Sequence, residues 1–159
     1  MYDVSMNTPL LIKWKGKIKP GSVNTSLIQN IDFAPTMLDV AGVKVPDWMQ
    51  GLSLQSILTG KQDVPMTIGM PRKELYYRYY EYPIDHYVIP HLGIRENQYK
   101  LIYFYTANEW EFYDLEADPQ EQKNLINIPK YQAEIGRMKK RLVEVKSQYK
   151  DPEPAGELK

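Results

Sequence analysis

Cysteine is absent from the 159-residue chain. That excludes a disulfide framework, a thiolate nucleophile and any metal site built on sulfur. Histidine is nearly absent, the two residues being His86 and His91. They stand five apart and are flanked by Pro83 and Pro90, so the helical pair of imidazoles four residues apart that holds zinc is excluded. Net charge is missing as well: 20 basic residues offset 20 acidic ones, and no overall field draws in nucleic acid or an anionic membrane. No apolar run reaches the length of a membrane span. The opening Met1-Tyr2-Asp3-Val4 lacks the basic-then-apolar pattern of a signal peptide, so an exported protein carries its signal outside this chain. A cysteine-free chain suits cytoplasm and periplasm equally. There is no Gly-rich phosphate loop, no Gly-x-Ser-x-Gly elbow and no Asp-Asp or Asp-x-Asp pair for a divalent metal. Read from its residues alone, the chain holds no self-contained active site: no catalytic and no metal-binding residue can be named.

What is present is ordinary globular composition, 43% hydrophobic and 25% charged, in a length that suits one domain or one domain with an appended piece. Pro9 to Trp14 reads as a strand, closed by turns at Lys15-Gly16 and Pro20-Gly21. A helix follows, capped by Asp32, with Pro35 in its first turn and Gly42 as its stop. Its Phe33, Met37, Leu38 and Ala41 share a face, which predicts burial against a sheet. Ser53 to Gly60 is a short second helix. The boundaries expected are a first piece over 1–60, a polar linker over 61–73, a second piece over 74–150 and a flexible tail over 151–159. In the second piece Leu75–Tyr80, His91–Glu96, Tyr99–Tyr105 and Trp110–Leu115 read as strands of an antiparallel meander. From Pro129 to about Lys150, apolar residues recur in steps of four and three (Tyr131, Ile135, Met138, Leu142, Val145, Tyr149). That is a helix with one buried stripe, packed across the meander.

Tyr76 to His91 (YYRYYEYPIDHYVIPH) holds six tyrosines and both histidines. Rings at Tyr76, Tyr77, Tyr79 and Tyr80, without alternation, predict a central strand covered on both faces, with each hydroxyl reaching a polar partner. The segment Pro83–His91 reads as a loop. Two imidazoles and a carboxylate beside an aromatic wall suit a carbohydrate site as well as a structural role, because rings stack on sugar faces while polar groups hold hydroxyls and anionic substituents. Glu109 and Glu111, flanking Trp110, mark a solvent face.

Five phrases resemble the type I sulfatases. Tyr2-Asp3-Val4-Ser5-Met6-Asn7-Thr8-Pro9-Leu10-Leu11-Ile12-Lys13-Trp14 is similar to their YEESxRxPLLxxWPG segment. Asp32-Phe33-Ala34-Pro35-Thr36 through Ala41-Gly42 is similar to a D-x-x-PT…AG helix, and Gln50-Gly51-Leu52-Ser53-Leu54 to the segment after it. Gly93-Ile94-Arg95 with Tyr99-Lys100-Leu101-Ile102 resembles a GVRTxxYKLI hairpin. Glu111-Phe112-Tyr113-Asp114-Leu115 through Asp118-Pro119, Glu121 and Asn124-Leu125 resembles ELYDLxxDPxExxNL. The phrases follow the family's order from Tyr2 to about Tyr149. Two departures stand out: Asn7 replaces a common arginine, and Lys15 a common proline.

The resemblance implies an α+β chain. The end of an α/β sulfatase core, a strand plus helices, is followed by a small four-stranded antiparallel sheet packed with a long C-terminal helix. It implies that calcium and the formylglycine made from cysteine or serine belong to a larger N-terminal part, so this chain has no cofactor of its own. The Tyr-rich stretch resembles bacterial sulfatases of sulfated amino sugars, such as those of glycosaminoglycans or mucins, and on that likeness His86 and His91, then Glu81 and Arg95, are expected to contact substrate. The partners implied are a sulfated carbohydrate and the N-terminal sulfatase domain, with no nucleic acid and no membrane, in a periplasmic or secreted enzyme. A stand-alone binding module, or part of a related phosphodiesterase, are the other readings. By itself the 1–60 piece is expected to be mobile, or to pair with a second copy through exposed strand and helix surfaces.

Overall fold

Four strands pair in chain order to make one antiparallel sheet: β1 (Leu75–Tyr79), β2 (His91–Arg95), β3 (Tyr99–Phe104) and β4 (Glu109–Asp114). The computed structural model describes residues 1–60, 72–83 and 87–151. Leu92 faces Tyr103 and Ile94 faces Leu101 across β2–β3, and Leu101 faces Phe112 across β3–β4. Side chains alternate faces along a strand, so Leu92, Ile94, Leu101, Tyr103 and Phe112 all meet on one side, where Leu125, Ile135, Met138 and Leu142 close the core. The last three lie on α4 (Gln132–Gln148), entered through a 3-10 turn at Pro129–Tyr131. Ile135, Met138, Leu142 and Val145 are all buried, at the spacing of the stripe. Each such side chain contributes roughly 1.5–3 kcal/mol by leaving water.

β1 is an edge strand, not the central one its rings suggested. Both faces are covered nonetheless. On the helix side the Tyr76 ring stacks on Tyr149 at 5.8 Å, and its hydroxyl donates to Asp151 at 2.5 Å. Arg78 joins the same carboxylate at 2.8 and 2.9 Å. On the other side Tyr77 and Tyr79 pack on His91, at 5.8 and 5.4 Å. A chain of hairpins puts its first strand at an edge, and tyrosine tolerates that half-wet position because one end of the ring is polar.

Gly93 shows why β2 needs a glycine. It pairs with Ile102, and a Cβ there would collide with the Leu101 carbonyl and come within 2.8 Å of the Met1 sulfur. Gly93→Ala is expected to cost about 1–3 kcal/mol, read as a lower urea midpoint with an unchanged m-value.

The described residues fall into two units, Met1–Thr8 with Tyr76–Lys159, and Pro9–Leu75. The first eight residues therefore group with the sheet, not with the rest of the 1–60 piece. Of the expected linker, 61–71 lies outside the described residues, as does 152–159 of the tail.

In the Pro9–Leu75 unit, Pro9 to Trp14 forms no strand. A strand exists only where a neighbour takes up its backbone hydrogen bonds, and Leu11 is 92% exposed. The turns do fall at Gly16 and Gly21, both at positive φ. Asp32 ends a 3-10 turn (Asn30–Asp32) and accepts from the Gln29 amide in a capping box, rather than capping α2 (Phe33–Val40) with its side chain. The expected buried face of α2 is open: Phe33 is 40% and Met37 69% exposed, while Pro35 and Thr36 are buried. No sheet covers the apolar side among the described residues of this unit. Its interior mixes Leu27, Pro35 and Leu54 with a buried polar network. Asp32, 0% exposed, accepts from the Leu52 amide and from both terminal nitrogens of Arg72 at 2.6 and 2.8 Å. Thr36 donates to the Asp32 carbonyl and accepts from the Leu54 amide. The short α3 (Gln55–Thr59) starts beside Ser53, whose oxygen accepts from the Gln55 amide, and ends at a left-handed Gly60. No helix among the described residues is long and apolar enough to cross a membrane.

Candidate functional site

The second face of the sheet carries the polar side chains. Alternation from the core positions puts Tyr77 and Tyr79 of β1, His91 and Arg95 of β2, Lys100 and Phe104 of β3, and Glu111 and Tyr113 of β4 on this side. The short helix α1 (Asp3–Met6) and Met1 pack on it, Met1 and Met6 joining Ile102, Tyr113 and Leu115.

Lys100 is fully buried here. Its ammonium lies 2.5 Å from Asp3 and 2.5 Å from Glu121, and donates to the Met1 carbonyl at 3.0 Å. Arg95 makes a two-pronged bond to the same Asp3, at 3.2 and 2.9 Å, and Glu121 accepts from the Asp3 amide at 2.5 Å. Burial raises the Asp3 carboxyl, but its bonds to Arg95 and Lys100 outweigh that and hold it below the ordinary value. At the rim Tyr2 donates to Glu111 at 2.8 Å. Burial, with that bond, pushes the Tyr2 phenol up to about 12.

Of the four residues expected to contact substrate, three are described, and no hydrogen bond or ion pair joins them to one another. His91 is 2% exposed. Its ring is enclosed by Tyr77, Tyr79 and Phe104, Nδ1 meets the Ile89 carbonyl at 2.8 Å, and Nε2 lies 3.1 Å from the Met1 nitrogen. Arg95 shares the face of His91 but is engaged with Asp3. Glu81 lies on the exposed segment after β1, and no hydrogen bond or ion pair joins it to His91 or Arg95 among the described residues. His86 lies outside the described residues. Among the described residues near it in sequence, Tyr80, Tyr82 and Tyr87 are 70%, 54% and 75% exposed.

Burial holds His91 below its ordinary pKa of 6.5, the bond to Ile89 offsetting part of that. The fold thus prefers the neutral ring, and the unfolded chain binds the proton first as pH drops. Stability is present above about 6.5 and falls as pH drops through that value towards the lower folded pKa. Urea midpoints of the parent protein should decline between pH 7.5 and 5.5, and His91→Gln should flatten that slope. An identical slope in the variant would assign the titration elsewhere.

Sequence reasoning missed Lys100, Asp3 and Glu121 as a group. Each sits inside a quoted phrase, but a lysine at a strand position alternating with tyrosine and leucine gives no local sign of being buried. Another phrase residue is also structural: Asn124 accepts from the Phe112 and Ile126 amides and donates to the Trp110 carbonyl. No cluster of His, Cys, Asp or Glu that could hold a metal ion occurs among the described residues. Among the described residues, no nucleophile with a base beside it stands on this face.

Comparison with known proteins places this architecture. Residues 1–148 match the family described as N-sulphoglucosamine sulphohydrolase, C-terminal. The chain is 43% identical over 155 residues to an N-acetylglucosamine-6-O-sulfatase of Bacteroides thetaiotaomicron, covering 97% of this chain and 27% of that protein. It is 33% identical over 135 residues to a Delta 4,5-hexuronate-2-O-sulfatase of the same organism, covering 82% and 26%. A protein solved in complex with its substrate D-glucosamine-2-N,6-O-disulfate superposes with a TM-score of 0.81 at 42% identity, over 91% of this chain and 29% of that one. The chain thus spans about a quarter of the length of these relatives. Fold, phrase order and family match agree: the chain belongs to the N-sulphoglucosamine sulphohydrolase C-terminal family.

Proposed function

We propose that this chain serves an enzyme that hydrolyses sulfate esters of amino sugars, and that it contributes substrate contact rather than chemistry. The observation that carries the reading is the 43% identity, over nearly the whole chain, to an N-acetylglucosamine-6-O-sulfatase. The likeness to a protein whose substrate is a glucosamine disulfate supports the same sugar class. Formylglycine and calcium are assigned to the remaining three quarters of such an enzyme, where they supply the nucleophile and the charge that holds the sulfate. The exposed rings of Tyr80, Tyr82 and Tyr87 support a sugar-facing role for the segment that carries Glu81 and His86, since rings present flat faces to sugars and their neighbours supply hydrogen bonds. His91, tied into the sheet and bonded to the Ile89 carbonyl, acts as a positioning residue for that segment, while Arg95 is held by Asp3.

The test is sulfate release by the whole enzyme. N-acetylglucosamine 6-sulfate should be turned over faster than a 2-O-sulfated unsaturated uronate. His86→Ala and Glu81→Gln should each lower kcat/KM for the amino sugar about tenfold, the loss of one hydrogen bond to a charged or polar group, without moving the thermal midpoint. Unchanged kinetics in both variants would remove this segment from the substrate site.

A further inference from the structure

The chain's balanced charge conceals a local imbalance. From Val4 to Ile31 there is no aspartate or glutamate, yet Lys13, Lys15, Lys17 and Lys19 fall within seven residues. All four are exposed. The Trp14 carbonyl accepts from the Lys17 and Ile18 amides, and Gly16 takes a positive φ, so one tight turn carries the four ammonium groups. The arginines, by contrast, are all matched: Arg72 meets Asp32, Arg78 meets Asp151, Arg95 meets Asp3, Arg137 meets Glu96 and Glu134, Arg141 meets Glu144. No ion pair engages the four lysines among the described residues. Four like charges held on one turn repel each other, and no acid among the described residues pairs with them. A polyanion would.

We propose that the Lys13–Lys19 turn is a docking surface for a sulfated glycan chain, distinct in residues from the segment that carries Glu81 and His86. The choice of a sulfated glycan rests on the proposed sulfatase function: a polymer carries anionic groups beyond the sugar being hydrolysed, and these are what the lysines hold. A lipid surface calls for an apolar wedge beside the cations, and a nucleic acid for open rings on which bases stack. Within the turn the apolar side chains, Trp14 and Ile18, are both half-buried; Leu11 and Ile12, just before it, are exposed, so the vesicle comparison below decides against a lipid surface.

The test replaces all four lysines by glutamine in the whole enzyme. Binding to a highly sulfated glycosaminoglycan is measured at about 50 mM and 500 mM salt, with its chemically desulfated form, duplex DNA and phosphatidylserine vesicles as comparisons. Exposed ion pairs are individually weak and screened by salt, so four together should give about tenfold tighter binding than the variant at low salt and little difference at high salt. The KM for the polymer should rise by a similar factor, while kinetics on the sulfated monosaccharide stay as they were. Equal polymer binding by parent and variant overturns the proposal, and so does parent binding to DNA or vesicles that exceeds binding to the sulfated chain. If the enzyme releases sulfate from no sugar, the proposed function falls, while the binding comparison still decides whether the turn holds a sulfated polymer.

Discussion

Lys100→Met is expected to destabilise the sheet by about 3–5 kcal/mol, the usual result of removing one partner from a buried ion pair. The ammonium is fully enclosed and stands between Asp3 and Glu121. Methionine keeps the volume and removes the charge, so two carboxylates are left facing one another, with Glu121 side chain 2% exposed. The effect has a pH signature. Asp3 sits below its ordinary value because Arg95 and Lys100 favour its ionised form against burial. Its stabilisation is therefore present above about pH 3.8 and lost as pH falls through the folded value. Without Lys100 that acid resistance should shrink. Glu121→Gln in the Lys100→Met background should recover part of the loss, since the two sites are coupled. Urea melts of the four members of this cycle decide it, and a loss below about 1 kcal/mol would mean that water reaches the group.

Asp32→Ala is the counterpart in the Pro9–Leu75 unit, with a similar expected cost of about 3–5 kcal/mol. One carboxylate accepts from the Gln29 and Leu52 amides and from two guanidinium nitrogens of Arg72. Alanine withdraws all of these acceptor positions from a buried site. Asp32→Asn keeps an acceptor but not the charge, and should fall between. Amide exchange at Leu52 reports the result locally. Rapid exchange there in the alanine variant, with Leu101 still protected, would place the damage in this unit alone; unaltered Leu52 protection would refute the role given to Asp32.

The small sheet and α4 were legible because their causes are local. Ile135, Met138, Leu142 and Val145 declare a helix by spacing alone, and each strand ended within a residue of where its turn residues put it. The failures had non-local causes. Pro9–Trp14 has the composition of a strand, but its hydrogen-bond partners are a matter of which other segments are beside it. The apolar stripe of α2 fixed a helix and said nothing of what would cover Phe33 and Met37. The tyrosines of β1 signalled cover on both faces correctly, while hairpin order placed the strand at the edge. Of the candidate site, family likeness named His91 and Arg95, yet the buried group they border, Lys100 with Asp3 and Glu121, depends on contacts across about a hundred residues of chain. Periodicity carries no record of such contacts.

The grouping of Met1–Thr8 with Tyr76–Lys159 makes Pro9–Leu75 an insertion within a single folded unit. This has a mechanical meaning. A pull applied between Ser5 and Gln148 has both handles in the sheet unit, so the load runs through the Asp3–Lys100 and sheet contacts and bypasses the inserted residues. The first rupture should release only a short length. The long extension contributed by Pro9–Leu75 can come only afterwards, once α1 has let go of β3.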